Sequence, residues 1–285
     1  MAIIKKDGFD FLDEINGIPE SFILKGSNLY EEINYIKKEK ILSIYLTYFE
    51  SKDIVNLDFL KEINFIEKII INDLDIEYSG LNYLDNLKHA ILSVKNQKQY
   101  LDYSIFKYLE TLSIDWYYKF PDLSNNNKLK ELYIWKFKPK SKSFKEILLP
   151  KGLELLHITD SNVETLEGIN CLGLRQFEAY YCSKLISLKG IERSRNSLTT
   201  LILENCKNLR DFESLWECSK IEKMILTNCG EIPSLKFLSK IQNLQMFTFS
   251  GTNIIDGNLD NLFNIDYVYF KNSKHYNHRI QKFSK

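Results

Sequence analysis

Histidine and cysteine are the side chains best able to do chemistry near neutral pH. The chain carries four histidines (His89, His157, His275 and His278) and five cysteines (Cys171, Cys182, Cys206, Cys218 and Cys229). The nearest approach to a metal motif is His275-Tyr-Asn-His278. Its spacing suits two ligands, but no paired cysteines or acidic ligands follow, and it reads as a polar C-terminal cap. Cys182, Cys206 and Cys229 recur at intervals of 24 and 23 residues. A nucleophile is needed once, so recurrence points to structure. No Gly-x-Gly-x-x-Gly, Walker A, Gly-x-Ser-x-Gly or His-Glu-x-x-His motif occurs, and no spacing among the many carboxylates singles out an acid/base pair. No catalytic residue, cofactor or metal is expected, and the chain is not expected to be an enzyme.

The cysteine interval is the period of the whole chain. Leu198-Thr-Thr-Leu201-Ile-Leu203-Glu-Asn-Cys206-Lys-Asn-Leu209 is its clearest unit. The next has Ile221, Met224, Leu226 and Cys229 at the same offsets, and the previous one Leu174, Phe177, Ala179 and Cys182. Taking the second apolar position as an anchor gives Ile44, Ile69, Ala90, Leu112, Leu132, Leu156, Phe177, Leu201, Met224, Phe247 and Val268, spaced by 20 to 25 residues. Each anchor and the residue two later alternate with polar neighbours, the period of a short strand with one face inward. One short strand cannot bury its own apolar face, so stability must come from stacking neighbours in parallel. After each strand a second spacing follows. Apolar residues fall three apart in Val163/Leu166/Ile169, Leu185/Leu188/Ile191, Leu209/Phe212/Leu215 and Ile232/Leu235/Leu238, as 3₁₀ or short helical turns require.

Five residues after the anchor stand Ser161, Cys182, Cys206, Cys229, Thr252 and Ser273. Small hydroxyl or thiol donors there are expected to satisfy backbone carbonyls in the tight turn. Cys171 and Cys218 each precede an anchor by six residues and are expected to be buried. The first five units instead carry Phe49, Leu74, Lys95, Tyr117 and Phe137, so irregular turns are expected in the N-terminal half. Ser21-Phe-Ile-Leu24 reads as a strand of an N-terminal cap.

The later units resemble the bacterial leucine-rich repeats of about 22 residues, the internalin-like class. The resemblance covers about residues 40–273 and is strongest from about 150 onward. It implies an α/β fold: a right-handed solenoid with a concave parallel β-sheet and a convex side of 3₁₀ and short helical turns. The expected organisation is a single solenoid over 1–285, with an N-terminal cap at 1–40, about eleven repeats at 41–273 and a C-terminal cap or tail at 274–285. Eleven strands about 4.8 Å apart would make a sheet on the order of 50 Å long.

Strand residues at offsets −1, +1 and +3 from the anchor should face outward on the concave side. Asp115, Tyr133, Trp135, His157, Glu178, Tyr180 and Glu204 would then form one strip, with Ile202 and Ile225 extending it. Trp and Tyr are the residues that most often anchor interfaces, so the strip is the expected partner-binding site.

Lys+Arg and Asp+Glu number 38 each, a balance that argues against nucleic acid as the partner. The first 20 residues have no apolar core of a secretory signal, and no apolar run is long enough for a membrane span. Reduced thiols in the cytoplasm are the expectation that follows. About 40 residues precede the repeats and about 12 follow them, too few for a catalytic domain. The resemblance implies a non-catalytic protein-binding module, monomeric apart from its partner. Solenoids of this kind occur among immunity proteins, so the expected role is to neutralise a cognate bacterial toxin, with a nuclease as one candidate. The alternative is an effector or adhesin that binds a host protein after export without a classical signal.

Overall fold

The structure, a computed structural model, describes residues 2–13, 20–94, 101–117 and 120–283. Two compact units make up the chain, Met1–Asp115 with Pro121–Leu129 and Trp116–Phe120 with Lys130–Lys285. No helix among the described residues is long and apolar enough to cross a membrane.

The first unit opens with a hairpin of β1 (Ile3–Lys6) and β2 (Phe9–Leu12). Its turn is Asp7-Gly8, both at positive φ (51° and 87°), as a two-residue hairpin turn of right-handed twist demands. β3 (Ser21–Ile23) pairs antiparallel with β2 and parallel with β4 (Ser43–Thr47). β5 (Lys68–Leu74), β6 (His89–Val94) and β7 (Thr111–Asp115) follow in parallel. Between β3 and β4 runs α1 (Leu29–Glu39), which buries Ile33 and Ile36 and ends in a left-handed Lys40. Its Glu32 is buried, and the carboxylate accepts the backbone N–H groups of Lys25 (2.9 Å) and Gly26 (2.8 Å).

The second unit stacks β8 (Glu131–Trp135), β9 (Leu155–Thr159), β10 (Gln176–Tyr180), β11 (Thr200–Glu204) and β12 (Lys223–Thr227). β14 (Met246–Phe249) and β16 (Tyr267–Phe270) complete this parallel sheet, and β13 (Glu231–Ile232) and β15 (Asn253–Ile254) form a separate pair.

The register is that of the repeat. In the first unit Ile44 lies opposite Ile69, Ile69 opposite Ala90 and Ala90 opposite Leu112. In the second, Leu132, Leu156, Phe177, Leu201, Met224, Phe247 and Val268 stand in one row. Phe22 pairs with Ile44, which adds the predicted strand at 21–24 to the same row. All of these anchors are buried. A fully buried apolar side chain of this size contributes about 1.5–3 kcal/mol, so each repeat adds its share only when a neighbour covers it.

The return segments are short, as expected. Nine 3₁₀ turns occur among the described residues, including Ile191–Ser194, Glu213–Glu217 and Leu235–Lys240. The residues spaced by three (Leu185/Leu188/Ile191, Leu209/Phe212/Leu215 and Ile232/Leu235/Leu238) are all buried. Val163, Leu166 and Ile169 are buried too, but this segment forms no 3₁₀ turn.

The donor ladder forms. Ser161 Oγ donates to the Phe137 carbonyl (2.6 Å), Cys206 Sγ to Ala179 (3.6 Å), Cys229 Sγ to Leu203 (3.3 Å) and Thr252 Oγ1 to Leu226 (3.3 Å). Cys182 Sγ reaches the carbonyls of Tyr180 (3.4 Å) and, more distantly, Ile158 (4.0 Å). Ser273 departs from the pattern, because its hydroxyl meets the His275 ring (2.8 Å) at the end of the stack. All five cysteines are free and buried, Cys171 and Cys218 included.

Just before Phe137, Ser161, Cys182, Cys206, Cys229 and Thr252, the backbone turns left-handed at Lys136, Asp160, Tyr181, Asn205, Asn228 and Gly251, with φ between 50° and 67°. In the first unit Asp73 does the same (φ 56°).

The irregular ladder positions resolve in different ways. Phe49 turns out to solvent (76% exposed) against Tyr48, and the buried Ser51 takes its place two residues later. Ser51 Oγ donates to the Leu24 carbonyl (2.5 Å) and accepts from the Thr47 N–H (3.1 Å). Leu74 is buried, and Tyr117 lies half-buried against Phe120. Phe137 is a fully buried plug between Trp116 (5.0 Å between centroids) and Phe144 (4.8 Å). Lys95 lies outside the described residues.

Candidate protein-binding face

The strands of the second unit point alternate residues away from the core. On β8 to β11 the outward positions are Glu131, Tyr133 and Trp135; Leu155, His157 and Thr159; Gln176, Glu178 and Tyr180; Thr200, Ile202 and Glu204. All are half-buried except Trp135, which is 42% exposed. Parallel in-register pairing puts Tyr133, His157, Glu178 and Ile202 in one row and Trp135, Thr159, Tyr180 and Glu204 in the next.

His157 is the hub. Its ring lies 4.9 Å from that of Tyr180, nearly parallel at 21°, and meets Tyr133 at 5.3 Å and Trp135 at 5.7 Å. Its Nδ1 is 2.8 Å from Oε2 of Glu178 and its Nε2 is 2.7 Å from Oγ1 of Thr159. An ionised carboxylate only accepts, so Nδ1 carries the hydrogen and, in the neutral ring, Nε2 accepts from the threonine hydroxyl. Gln176 Nε2 donates to the other Glu178 oxygen. Burial pushes the Glu178 carboxyl up, but hydrogen bonds from His157, Gln176 and Tyr180 outweigh it and hold the group below its ordinary value. Burial, reinforced by nearby carboxylates, pushes the phenols of Tyr133 and Tyr180 up to about 12, so both stay protonated donors at neutral pH. Tyr133 uses its hydroxyl on Glu131 (3.3 Å).

Six of the seven residues expected on the strip therefore share one face of the second unit: Tyr133, Trp135, His157, Glu178, Tyr180 and Glu204. Asp115 requires a correction. It belongs to the first unit and is buried (5% exposed), with a hydrogen bond from Ser93 Oγ at 3.3 Å. The offset gives the outward direction of a side chain but not whether that side is open to water. In the first unit the outward positions Ser43, Thr47, Lys68 and Ile70 are buried as well. Thr159, Gln176 and Glu131, which tie the cluster together, were not singled out from sequence, although they occupy the same outward offsets.

The two C-terminal histidines are structural. His275 Nε2 meets the Ile254 carbonyl (2.8 Å), and His278 Nε2 meets Asp260 Oδ1 (2.7 Å), so the two rings brace the C-terminal cap. Among the described residues no group of three or more histidine, cysteine or acidic side chains is placed to hold a metal ion.

A row of anchors in register, a donor at the turn and 3₁₀ return segments define the fold: the chain has a leucine-rich-repeat architecture. Among solved structures it is similar to the internalin InlF of Listeria monocytogenes, at 17% identity and a TM-score of 0.37, covering 77% of this chain and 78% of that one. It is also similar to the functional domain of InlJ from the same organism, which includes a cysteine ladder (12% identity, TM-score 0.37, 80% and 62% covered). A leucine-rich-repeat protein of Leptospira interrogans is similar at 12% identity and a TM-score of 0.43, with 88% and 82% covered. No protein-family model and no curated protein matches the sequence.

Proposed function

We propose that the chain is a non-catalytic protein-binding module whose docking surface is the outward face of β8 to β11. One observation carries this reading. Tyr133, Trp135, His157 and Tyr180 form a contiguous half-exposed ring cluster on a rigid sheet. Water-facing aromatic surface of this kind is characteristic of interaction sites, and Tyr and Trp supply large contact area for little conformational entropy. Ile202 and Ile225, half-buried on the adjoining strands, extend the apolar part.

The partner proposed is a basic protein. The outward positions of these four strands hold Glu131, Glu178 and Glu204 and no lysine or arginine. Complementary charge speeds encounter and suppresses wrong partners. A toxin with a basic surface, such as a nuclease, neutralised in the cytoplasm, fits this chemistry, and five free thiols suit a reducing compartment. The test is co-expression with the protein encoded by the adjacent gene. Rescue of growth and formation of a stable complex support the reading. A cell that dies equally with and without this chain, with no complex formed, removes it.

A further inference from the structure

After the ladder turns of the second unit, successive repeats are joined by short parallel contacts. Arg210 and Asp211 both donate their N–H groups to the Ile186 carbonyl (3.1 Å each), and Ser187 bridges Asp211. Glu231–Ile232 pairs with Asn253–Ile254. The repeat carries Arg210 onto Pro233, each nine residues after its anchor, Leu201 or Met224. Proline has no N–H to donate, and among the described residues no bridge joins Asp211 to the following repeat. A cavity of about 430 Å³ opens at this break, where the chain enters the 3₁₀ turns Glu213–Glu217 and Leu235–Lys240. Its apolar lining is largely aromatic. Phe212 and Phe237 are buried and stack at 5.7 Å and 16°, and Trp216, 53% exposed, lines the same cavity.

The charges around the cavity are unequal. The Asp211 carboxylate is committed, because it accepts from Ser187 Oγ and from the Glu213 N–H (3.0 Å). Arg210 and Lys236 line the cavity, are exposed and, among the described residues, make no ion pair. Glu213 alone opposes these two cations. We infer that the cavity binds an aromatic carboxylate, its flat ring against Phe212, Phe237 and Trp216 and its anionic group held by Arg210 and Lys236. The volume falls within the roughly 300–1,000 Å³ of small-ligand sites. Aromatic side chains favour a flat ring over an aliphatic chain of similar size. A guanidinium meets a carboxylate through two parallel N–H bonds, which a neutral amide cannot match. The cavity lies on the return segments and not on the outward face of β8 to β11, so it stands independently of the protein-binding reading. A free aromatic acid and the C-terminal aromatic residue of a peptide offer the same chemistry.

The test titrates the full chain with N-acetyl-phenylalanine, its uncharged amide, and N-acetyl-leucine, which keeps the carboxylate and lacks the ring. The indole N–H resonances of Trp116, Trp135 and Trp216 provide a built-in control. N-acetyl-phenylalanine is expected to move the Trp216 resonance saturably, with a Kd of about 1 mM or below, and to leave the other two in place. The amide is expected to bind at least about tenfold more weakly and N-acetyl-leucine at least about threefold. Arg210→Gln with Lys236→Gln, both at exposed positions, is expected to abolish the preference for acid over amide, while Lys220→Gln, outside the cavity, keeps it. Acetyl-Gly-Gly-Gly-Phe with a free carboxylate separates the sources. Tighter binding than N-acetyl-phenylalanine assigns a chain terminus and equal or weaker binding a free acid, and either result supports the site. Equal binding of acid and amide, equal binding of the leucine compound, an acid preference that survives the double variant, or no saturable shift at Trp216 overturns the inference.

Discussion

The Nδ1 of His157 and the carboxylate of Glu178, on neighbouring strands, lie 2.8 Å apart at the centre of the outward face of the second unit. The bond couples the face to pH. Glu178 sits below its ordinary value in the fold, so it stabilises the native state fully above the unfolded value near 4.5, and this contribution is lost as pH falls from there through the lower folded value. Thermal melts of the wild type and Glu178→Gln from pH 7 down to pH 3 should show a wild-type advantage that closes on acidification. A gap independent of pH would mean that the bond is not what holds the carboxylate.

The thiol ladder makes a second prediction. Cys206 donates to the Ala179 carbonyl from a fully buried site, and Ser161 and Thr252 do the same work with hydroxyls. Cys206→Ala leaves buried carbonyls without their donor and should cost about 1–3 kcal/mol, whereas Cys206→Ser should cost less, as denaturant unfolding can measure. Burial pushes the thiols of Cys171 and Cys218 up to about 12. The native protein should therefore resist alkylation at neutral pH. The fold should also weaken as pH rises above the ordinary thiol value of 9, where the unfolded chain ionises first. Rapid labelling of the folded chain by iodoacetamide would contradict this.

In the first unit the ladder function has moved by two residues. Ser51→Ala removes the donor to Leu24 and the acceptor for Thr47 and should cost about 1–2 kcal/mol. Phe49→Ala, at the position the repeat period designates, should stay within about 0.5 kcal/mol because Phe49 is solvent-exposed. The reverse order of costs in urea unfolding would restore Phe49 to the ladder.

These cases show what sequence can carry. The anchors were legible because period and burial coincide: Phe177 and Leu201 are apolar, strand-forming and buried by the same stacking that sets the register. Ser51 was not, because a local change in turn length breaks the period while preserving the hydrogen bond. The N-terminal hairpin has a signal in Asp7-Gly8, between the two strands, but it lies outside the repeat period. The left-handed turn had one in Asn205, Asn228 and Gly251, residue types that tolerate positive φ, but Lys136 and Tyr181 adopt the same conformation and conceal it. For the face, six of seven residues followed from offset alone. Asp115 failed because exposure depends on what lies above a strand, which periodicity does not encode.

Gly190 tests the return segments. Its φ is +112°, and a Cβ there would stand 2.2 Å from the Leu166 carbonyl oxygen of the previous repeat. Neither the backbone conformation nor the packing admits a side chain, so Gly190→Ala should lose at least about 2 kcal/mol. Gly173→Ala, whose Cβ would meet nothing nearer than 3.7 Å, is the matched control for the same unfolding measurement.

The central claim is that the outward face of β8 to β11 binds a basic protein. Its most direct test is calorimetry of the adjacent gene's product against the wild type, Trp135→Ala, Tyr180→Ala and Trp216→Ala, each confirmed to melt like the wild type. Trp216 is more exposed than Trp135 but lies on a 3₁₀ turn, Glu213–Glu217, rather than on a strand of the sheet. The face predicts that Trp135→Ala and Tyr180→Ala each weaken binding by about tenfold or more while Trp216→Ala binds as the wild type does. Undiminished binding by both face variants, with loss in Trp216→Ala, would contradict it.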